Sequence, residues 1–216
     1  MITLSVLDIL GFLLAATRWT LLLSVIAFAG GGTGALLLLL LRYGRPKFGA
    51  WFLKVYVEIL QGTPLLLQLF LVFFGLPLLG IDVSPLLAAG VALTLYASAF
   101  LAEIWRGCVD AIGRGQWDAG AALGMTFVQR MRLIILPQAL KIAVPPTVGF
   151  LVQLVKSTAL ASIVGFNELT KAGQIVTNAT FQPVVVYGLV ALIYFCLCFP
   201  LTYCARMLER KLSASR

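Results

Sequence analysis

The sequence predicts an all-α integral membrane protein of five transmembrane helices, N-terminus outside and C-terminus inside, with a helical cytoplasmic loop between the third and fourth spans. Three observations carry this reading. The 216 residues are 61% hydrophobic and only 11% charged, where ordinary globular domains carry roughly a quarter charged residues. The apolar residues fall in runs close to the ~20 residues a spanning helix needs. The Lys and Arg residues collect between alternate runs, thirteen on one side and three on the other, and such charge gathers in cytoplasmic loops. The net charge of +8 is thereby explained without nucleic acid. The chain 1–216 reads as a single membrane domain, multi-pass and in contact with lipid.

The N-terminal "MITLSVLDILGFLLAATRW" lacks a basic n-region and a small-residue cleavage pattern, which argues against a cleaved signal peptide. The first span is expected at about 19–41. It contains "GGGTG", Gly30 to Gly34; a run of leucines follows in place of Lys and Ser/Thr, so this is no phosphate loop, and close helix packing is the better account. The basic stretch "RYGRPKFGAWFLK" then reads as an inner loop, and the second span is expected at about 55–79, with the polar insert "EILQGTP". The turn near Gly80, Asp82 and Pro85 is outside, and the third span covers about 86–104. A fourth run, about 142–164, contains Pro145 and Pro146. The polar "GFNELTKAGQIVTNATFQP" suits an outer loop with a short surface helix, and the fifth span covers about 184–203. Cys108, Cys196, Cys198 and Cys204 read as packing residues rather than disulfides, and with no histidine in the chain no metal site is expected.

Ionisable groups inside a bilayer cost a few kcal/mol and call for a partner or a wet path. Lys156, about 22 Å along the helix from Lys141 at ~1.5 Å per residue, lies in the outer half of the membrane. Gln153, Lys156 and Ser157 are three and four apart and so share a face. Lys156 either snorkels to headgroups, lines a translocation path for a polar solute, or pairs with Glu58. Glu103 and Arg106 are spaced to form a structural ion pair, and Glu58 is also spaced to meet Lys54. Gln68 is the polar exception in an otherwise apolar stripe.

The segment "GQWDAGAALGMTFVQRMRLIILP", Gly115 to Pro137, cannot sit in lipid. Its Ala-rich part predicts a short helix over Gln116–Leu123, with Asp118 in the first turn where the helix dipole favours an acid. Gly124 permits a sharp C-terminal turn, and Pro137 suits the first turn of the helix that re-enters the membrane. A short helix with a small-residue face allows close approach of a cytoplasmic partner.

The spacing of Asp118-Ala119-Gly120, Gly124, Ile134 and Leu136-Pro137 resembles the EAA loop of ATP-binding-cassette importer permeases. "QGTPLLLQLFLVFFGLP", "AFLAEIWRG", "LPQALKIAVPPTVGFLVQLVKSTALASIVG" and "NELTKAGQ" resemble the polar amino acid branch of that family (the histidine, glutamate, glutamine and arginine type) along nearly the whole chain. The resemblance implies a type I ABC importer permease fold in which the loop over about 113–137 carries a coupling helix that seats in the ATPase. The contact residues it implies are Arg114, Gly115, Gln116, Trp117, Asp118, Ala119, Gly120, Ala122, Leu123 and Gly124. It places Lys156, Ser157 and Thr158, with Gln153 beside them, where the substrate path crosses the fourth helix; Gln68 and Phe100, which stands where many members have Tyr, join them as path candidates. Asp118 replaces the usual Glu, and Gly120 replaces an Ala at about 1 kcal/mol of helix propensity.

By the same resemblance the chain is a permease subunit that moves a polar amino acid across the bacterial inner membrane and is not itself an enzyme. Its partners are a dimer of ABC ATPase subunits, a second permease subunit (same or paralogous) and a periplasmic or lipid-anchored amino acid binding protein. The chain binds no cofactor: lacking GxxxxGK[ST], it leaves ATP and Mg to the partner. An ion-coupled secondary transporter of a small polar solute is the alternative, but such folds show inverted repeats, and none is visible here. A membrane enzyme would need a catalytic constellation that this composition lacks.

Overall fold

The computed structural model describes residues 5–213, the side chains of 212 and 213 excepted. Arg216, counted above among the inner basic residues, and residues 1–4 lie outside that range. The helices in chain order are α1 (Val6–Gly44), α2 (Pro46–Gly62), α3 (Leu65–Leu78), α4 (Pro85–Asp110), α5 (Arg114–Ala122), α6 (Phe127–Ser162), α7 (Leu169–Thr180) and α8 (Pro183–Ser213). Among the described residues α1, α4, α6 and α8 are long and apolar enough to cross a membrane, and the bent pair α2–α3 makes a fifth.

α1 begins at Ser5, whose side chain and that of Asp8 form a capping box, well before the expected start at Trp19. Its 39 residues exceed the ~20 that cross the hydrocarbon. The early turns are stabilised by tertiary packing: Ile9 and Leu13 are buried in a cluster with Leu169, Val176, Val186 and Val190 from α7 and α8. Hydropathy understates this stretch because Asp8 and Arg18 interrupt it. The glycines of α1 do what close packing requires. A Cβ on Gly31 would overlap that of Ala97 and lie 3.1 Å from the backbone at Ala97 and Ser98, and one on Gly34 would lie 2.9 Å from Ser98 Cβ. α1 and α4 therefore cross almost backbone to backbone.

The second span is not one helix. Gly62, Thr63 and Pro64 break it, and α2 and α3 meet at 99°. Pro64 has no N–H to continue the ladder and forces extended backbone on the residue before it, as Thr63 shows with ψ 142. The fourth span departs in the opposite sense. Pro137 does not open a new helix, because α6 is already running from Phe127. A π-turn over Met131–Ile135, in which the N–H of Leu136 donates to the carbonyl of Met131, widens the helix just ahead of the proline. Single π-turns of this kind commonly interrupt helices at functional places. Pro145 and Pro146 also lie inside α6, and the indole N–H of Trp105 on α4 donates to the hydroxyl of Thr147 at 2.9 Å.

The outer-loop helix α7 is more than a surface element: Leu169, Ala172, Gly173 and Val176 are buried against α1 and α8. At the other end Val109, Ile112, Met131 and Ile135 form a cluster joined by Tyr43 and Trp117. The ends of α1 and α4, α5 and the start of α6, with their arginines, therefore converge. Of the cysteines, Cys108 and Cys198 are buried, Cys196 and Cys204 are exposed, and all four are free thiols.

The glycine-seated crossing yields a prediction. Gly31→Val forces a methyl group into Ala97 and should destabilise the fold by about 1–3 kcal/mol, the usual range for overpacking. Gly11→Ala, where the added carbon meets nothing within 4 Å, should raise stability by up to about 1 kcal/mol through helix propensity. Thermal unfolding of the purified protein in detergent distinguishes them; equal melting temperatures would refute the close crossing.

Candidate functional site

The loop helix α5 is built to be held from one side and open on the other. It ends in a Schellman motif: the N–H of Gly124 bonds to the carbonyl of Ala121 at 2.9 Å and that of Met125 to Gly120 at 3.1 Å, with Gly124 at φ +71. Two residues later Thr126 caps α6 through a reciprocal box with Gln129, at 3.3 and 2.8 Å. The reversal is thus tight and fully hydrogen-bonded.

Trp117 and Gly120 face the bundle. Trp117 stacks on Phe127 with centroids 6.0 Å apart, and the Arg130 guanidinium donates to its carbonyl at 3.3 Å. Gly120 is buried; a Cβ there would lie 2.8 Å from Arg130 Cγ and 3.0 Å from Ile134 Cδ1. The glycine costs helix propensity but allows α5 to rest on the π-turn of α6, so Gly120 faces inward and is no surface contact. Arg114, Gly115, Gln116, Asp118, Ala119, Ala122, Leu123 and Gly124 are exposed, Leu123 at 79%. Gln116 accepts a long bond from Gln138, 3.4 Å. Because α5 starts at Arg114, Asp118 falls beyond the first turn, which holds no acid, and the dipole argument for that position fails.

The expected path residues divide. Gln153 and Lys156 are exposed on α6, whereas Ser157 and Thr158 are buried. The Ser157 hydroxyl donates to the Gln153 carbonyl at 3.0 Å and that of Thr158 to Val155 at 2.7 Å, and Ser157 borders a small void with Leu65, Leu69 and Leu93. Lys156 is not paired with Glu58, which meets Lys54 at 3.8 Å instead. Phe100 stacks on Phe150 at 5.5 Å and 12° and lies 4.5 Å from Tyr96, so it forms an aromatic wall one turn from Gln153.

Gln68 is buried and faces no path. Its amide N–H groups donate to the Leu60 carbonyl at 2.7 Å and to the Thr63 carbonyl and hydroxyl at 3.1 and 3.0 Å. It satisfies carbonyls freed where α2 breaks, groups that no water reaches in hydrocarbon. Arg106 binds Glu103 through two guanidinium nitrogens and Asp110 at 2.6 Å, a bridge one acid larger than spacing suggests.

One cluster had only an unremarked Glu in the sequence. Glu168 is fully buried. Its carboxylate accepts from the Lys171 N–H at 2.8 Å, from Tyr194 at 2.9 Å and from Thr20 at 3.4 Å, while the Thr20 hydroxyl accepts from the Leu169 N–H at 3.1 Å. One side chain caps α7 and ties it to α1 and α8. Burial pushes its carboxyl above the ordinary range, and the hydrogen bonds from Lys171, Tyr194 and Thr20 oppose that. Glu168 begins three residues before Lys171, the N-cap spacing that could have exposed it. No group of three metal-ligating side chains occurs among the described residues.

Residues 30–214 match the family of binding-protein-dependent transport system inner membrane components. The chain is 34% identical over 200 residues to the probable amino-acid ABC transporter permease protein YckA of Bacillus subtilis, covering 93% of this chain and 88% of that one. It is 33% identical to the glutamine transport system permease protein GlnP of Escherichia coli, covering 93% and 92%. A crystal structure of an amino acid ABC transporter with histidines superposes with a TM-score of 0.90 at 30% identity, over 97% of this chain and all of that one. An inward-facing form of the MetNI methionine ABC transporter shares the fold, with a TM-score of 0.74.

The buried carboxylate sets a pH dependence. Because the folded pKa is raised, the folded state holds more protons than the unfolded one above the unfolded carboxyl value of about 4.3, so stability falls as pH rises through that window. Thermal unfolding of the wild type should therefore show a melting temperature that drops from acid to neutral pH. Glu168→Gln should flatten that slope while retaining an acceptor for the α7 cap; an unaltered slope would assign the dependence elsewhere.

Proposed function

The chain belongs to the family of binding-protein-dependent transport system inner membrane components and is the permease subunit of an ABC amino-acid importer; from this we propose how its parts divide that task. The whole chain forms one transmembrane permease domain, N-terminus outside and C-terminus inside, with α5 as the coupling helix. The observation that carries the reading is the two-sided character of α5. Its inner face is locked to the start of α6, and its outer face offers Ala119, Ala122 and exposed Leu123 without bulk or net charge that would oppose a partner's cleft. The family description and the relatives favour this over an ion-coupled secondary transporter.

ATP and Mg are held by a partner ATPase dimer, and a second permease subunit completes the path. An extracellular binding protein delivers the amino acid. When ATP closes the ATPase dimer, α5 moves with it. Because Trp117, Gly120 and Arg130 join α5 to the start of α6, the displacement is passed to the helix that carries Gln153 and Lys156. Those two residues form the polar face of the path, with Phe100 as its aromatic wall. Ser157, Thr158 and Gln68 shape it from behind. Lys156 offers a cation to the carboxylate that every amino acid carries at neutral pH. Nucleotide acts as a ligand that stabilises one of two arrangements more than the other.

Two expected outcomes test this separately. Ala119→Trp, which places bulk on the exposed face of α5, should abolish co-purification with the ATPase and substrate-stimulated ATP hydrolysis; intact hydrolysis would refute the docking role. Lys156→Ala should lower uptake in proteoliposomes by at least about tenfold, 1.4 kcal/mol, with co-purification unchanged. An unaltered uptake rate and affinity would make Lys156 structural.

A further inference from the structure

At the end of α4 opposite α5, a groove of about 440 Å³ runs between α1 and α4, lined by Ile26, Leu87, Gly90, Val91, Thr94 and Leu95. It extends from Leu86 to Leu95, roughly 13 Å at ~1.5 Å per residue, and is almost wholly apolar. Its upper end opens into a second hollow of about 300 Å³ that shares Ser84 and Leu86 and adds Trp19 and Asn167. The character changes along the length, from hydrocarbon-like below to polar at the mouth. Trp19 and Ile26 are seven residues apart, two helical turns, so the same face of α1 lines both parts. The Arg18 guanidinium lies 5.3 Å from the Trp19 ring centroid, exposed and with no ion-pair partner among the described residues.

We propose that this groove is a binding site for a single anionic phospholipid, with one acyl chain along Ile26, Gly90 and Thr94 and the headgroup phosphate at Arg18. The groove lies on spanning helices, where the surrounding solvent is acyl chain, and its depth comes from Gly90, which leaves the floor without a side chain. Trp favours the headgroup level, and an Arg beside it can hold a phosphate through charge-assisted hydrogen bonds. The combination selects a molecule with an apolar tail and an anionic head. A free anion lacks the tail, and a zwitterionic lipid brings a choline cation beside the phosphate that would compete with Arg18. A bound lipid here would fill the α1–α4 seam next to the Gly31 crossing and steady the outer end of the bundle.

The test uses the chain purified with its ATPase and equilibrated in nanodiscs of equal parts phosphatidylglycerol and phosphatidylcholine, with retained lipid read by native mass spectrometry. The wild type should retain phosphatidylglycerol over phosphatidylcholine by about fivefold, a difference of about 1 kcal/mol, because choline's own cation offsets the phosphate charge that Arg18 meets. Gly90→Leu, whose Cβ meets only Ile26 Cγ2 at 3.7 Å, should fill the groove and lose both lipids. Arg18→Gln should keep a lipid and lose the preference. Unchanged retention in Gly90→Leu, or unchanged preference in Arg18→Gln, would overturn the proposal. So would efficient disulfide linkage of two permease copies through Ile26→Cys, which would make the groove a subunit interface.

Discussion

Hydrocarbon offers no water to a backbone that leaves its helix, so every break in this chain must bring its own hydrogen-bond partners. The 99° bend at Gly62 to Pro64 persists because Gln68 reaches back to the carbonyls of Leu60 and Thr63. The start of α7 persists because Glu168 and Thr20 take the N–H groups of Lys171 and Leu169. Where Pro137 would disrupt α6, a π-turn redirects the ladder so that Leu136 bonds to Met131. Gln68, Thr20 and Glu168, which look out of place beside apolar runs, each answer a local backbone requirement.

The same constraint separates parts that hold from parts that face outward. The Gln68 amide N–H groups and the Ser157 and Thr158 hydroxyls turn onto backbone carbonyls, and Glu168 takes a backbone N–H and the Thr20 and Tyr194 hydroxyls, whereas Gln153 and Lys156 stay exposed on α6. At the opposite end, Trp117 and Gly120 fasten α5 to the π-turned start of that helix. α5 is thereby joined through packed side chains to α6, the helix that carries Gln153 and Lys156 beyond its π-turn and its two interior prolines. The arrangement suits a subunit whose energy source is another protein.

Much of this was legible from residue order alone. The runs of Leu, Val and Phe marked the spans, the glycines at Gly30 to Gly34 marked a close crossing, and Gly124 marked the turn after α5. The first helix was read too short because Asp8 and Arg18 break its hydropathy, while Ile9 and Leu13 find their apolar surroundings on α7 and α8. Composition places a second span and its polar insert but does not report the 99° bend at Pro64, because it measures how apolar a segment is and not its direction. Helical spacing groups Ser157 with Gln153 and Lys156, and the family resemblance adds Thr158, but spacing gives a shared side of the helix and not the neighbour on that side, and both hydroxyl residues are buried.

The sequence by itself determined that this is a helical membrane protein of about five crossings, the family it belongs to, and the position of the loop helix. Those follow from composition, period and motif spacing, which are properties of the chain taken locally. Only the tertiary structure decided which polar groups are exposed, that Gly120 is a packing glycine, that Gln68 and Glu168 are caps, and that α5 packs on the start of α6. These depend on contacts between residues far apart in the chain, as between Thr20 and Glu168, and no local pattern encodes a distance of that kind.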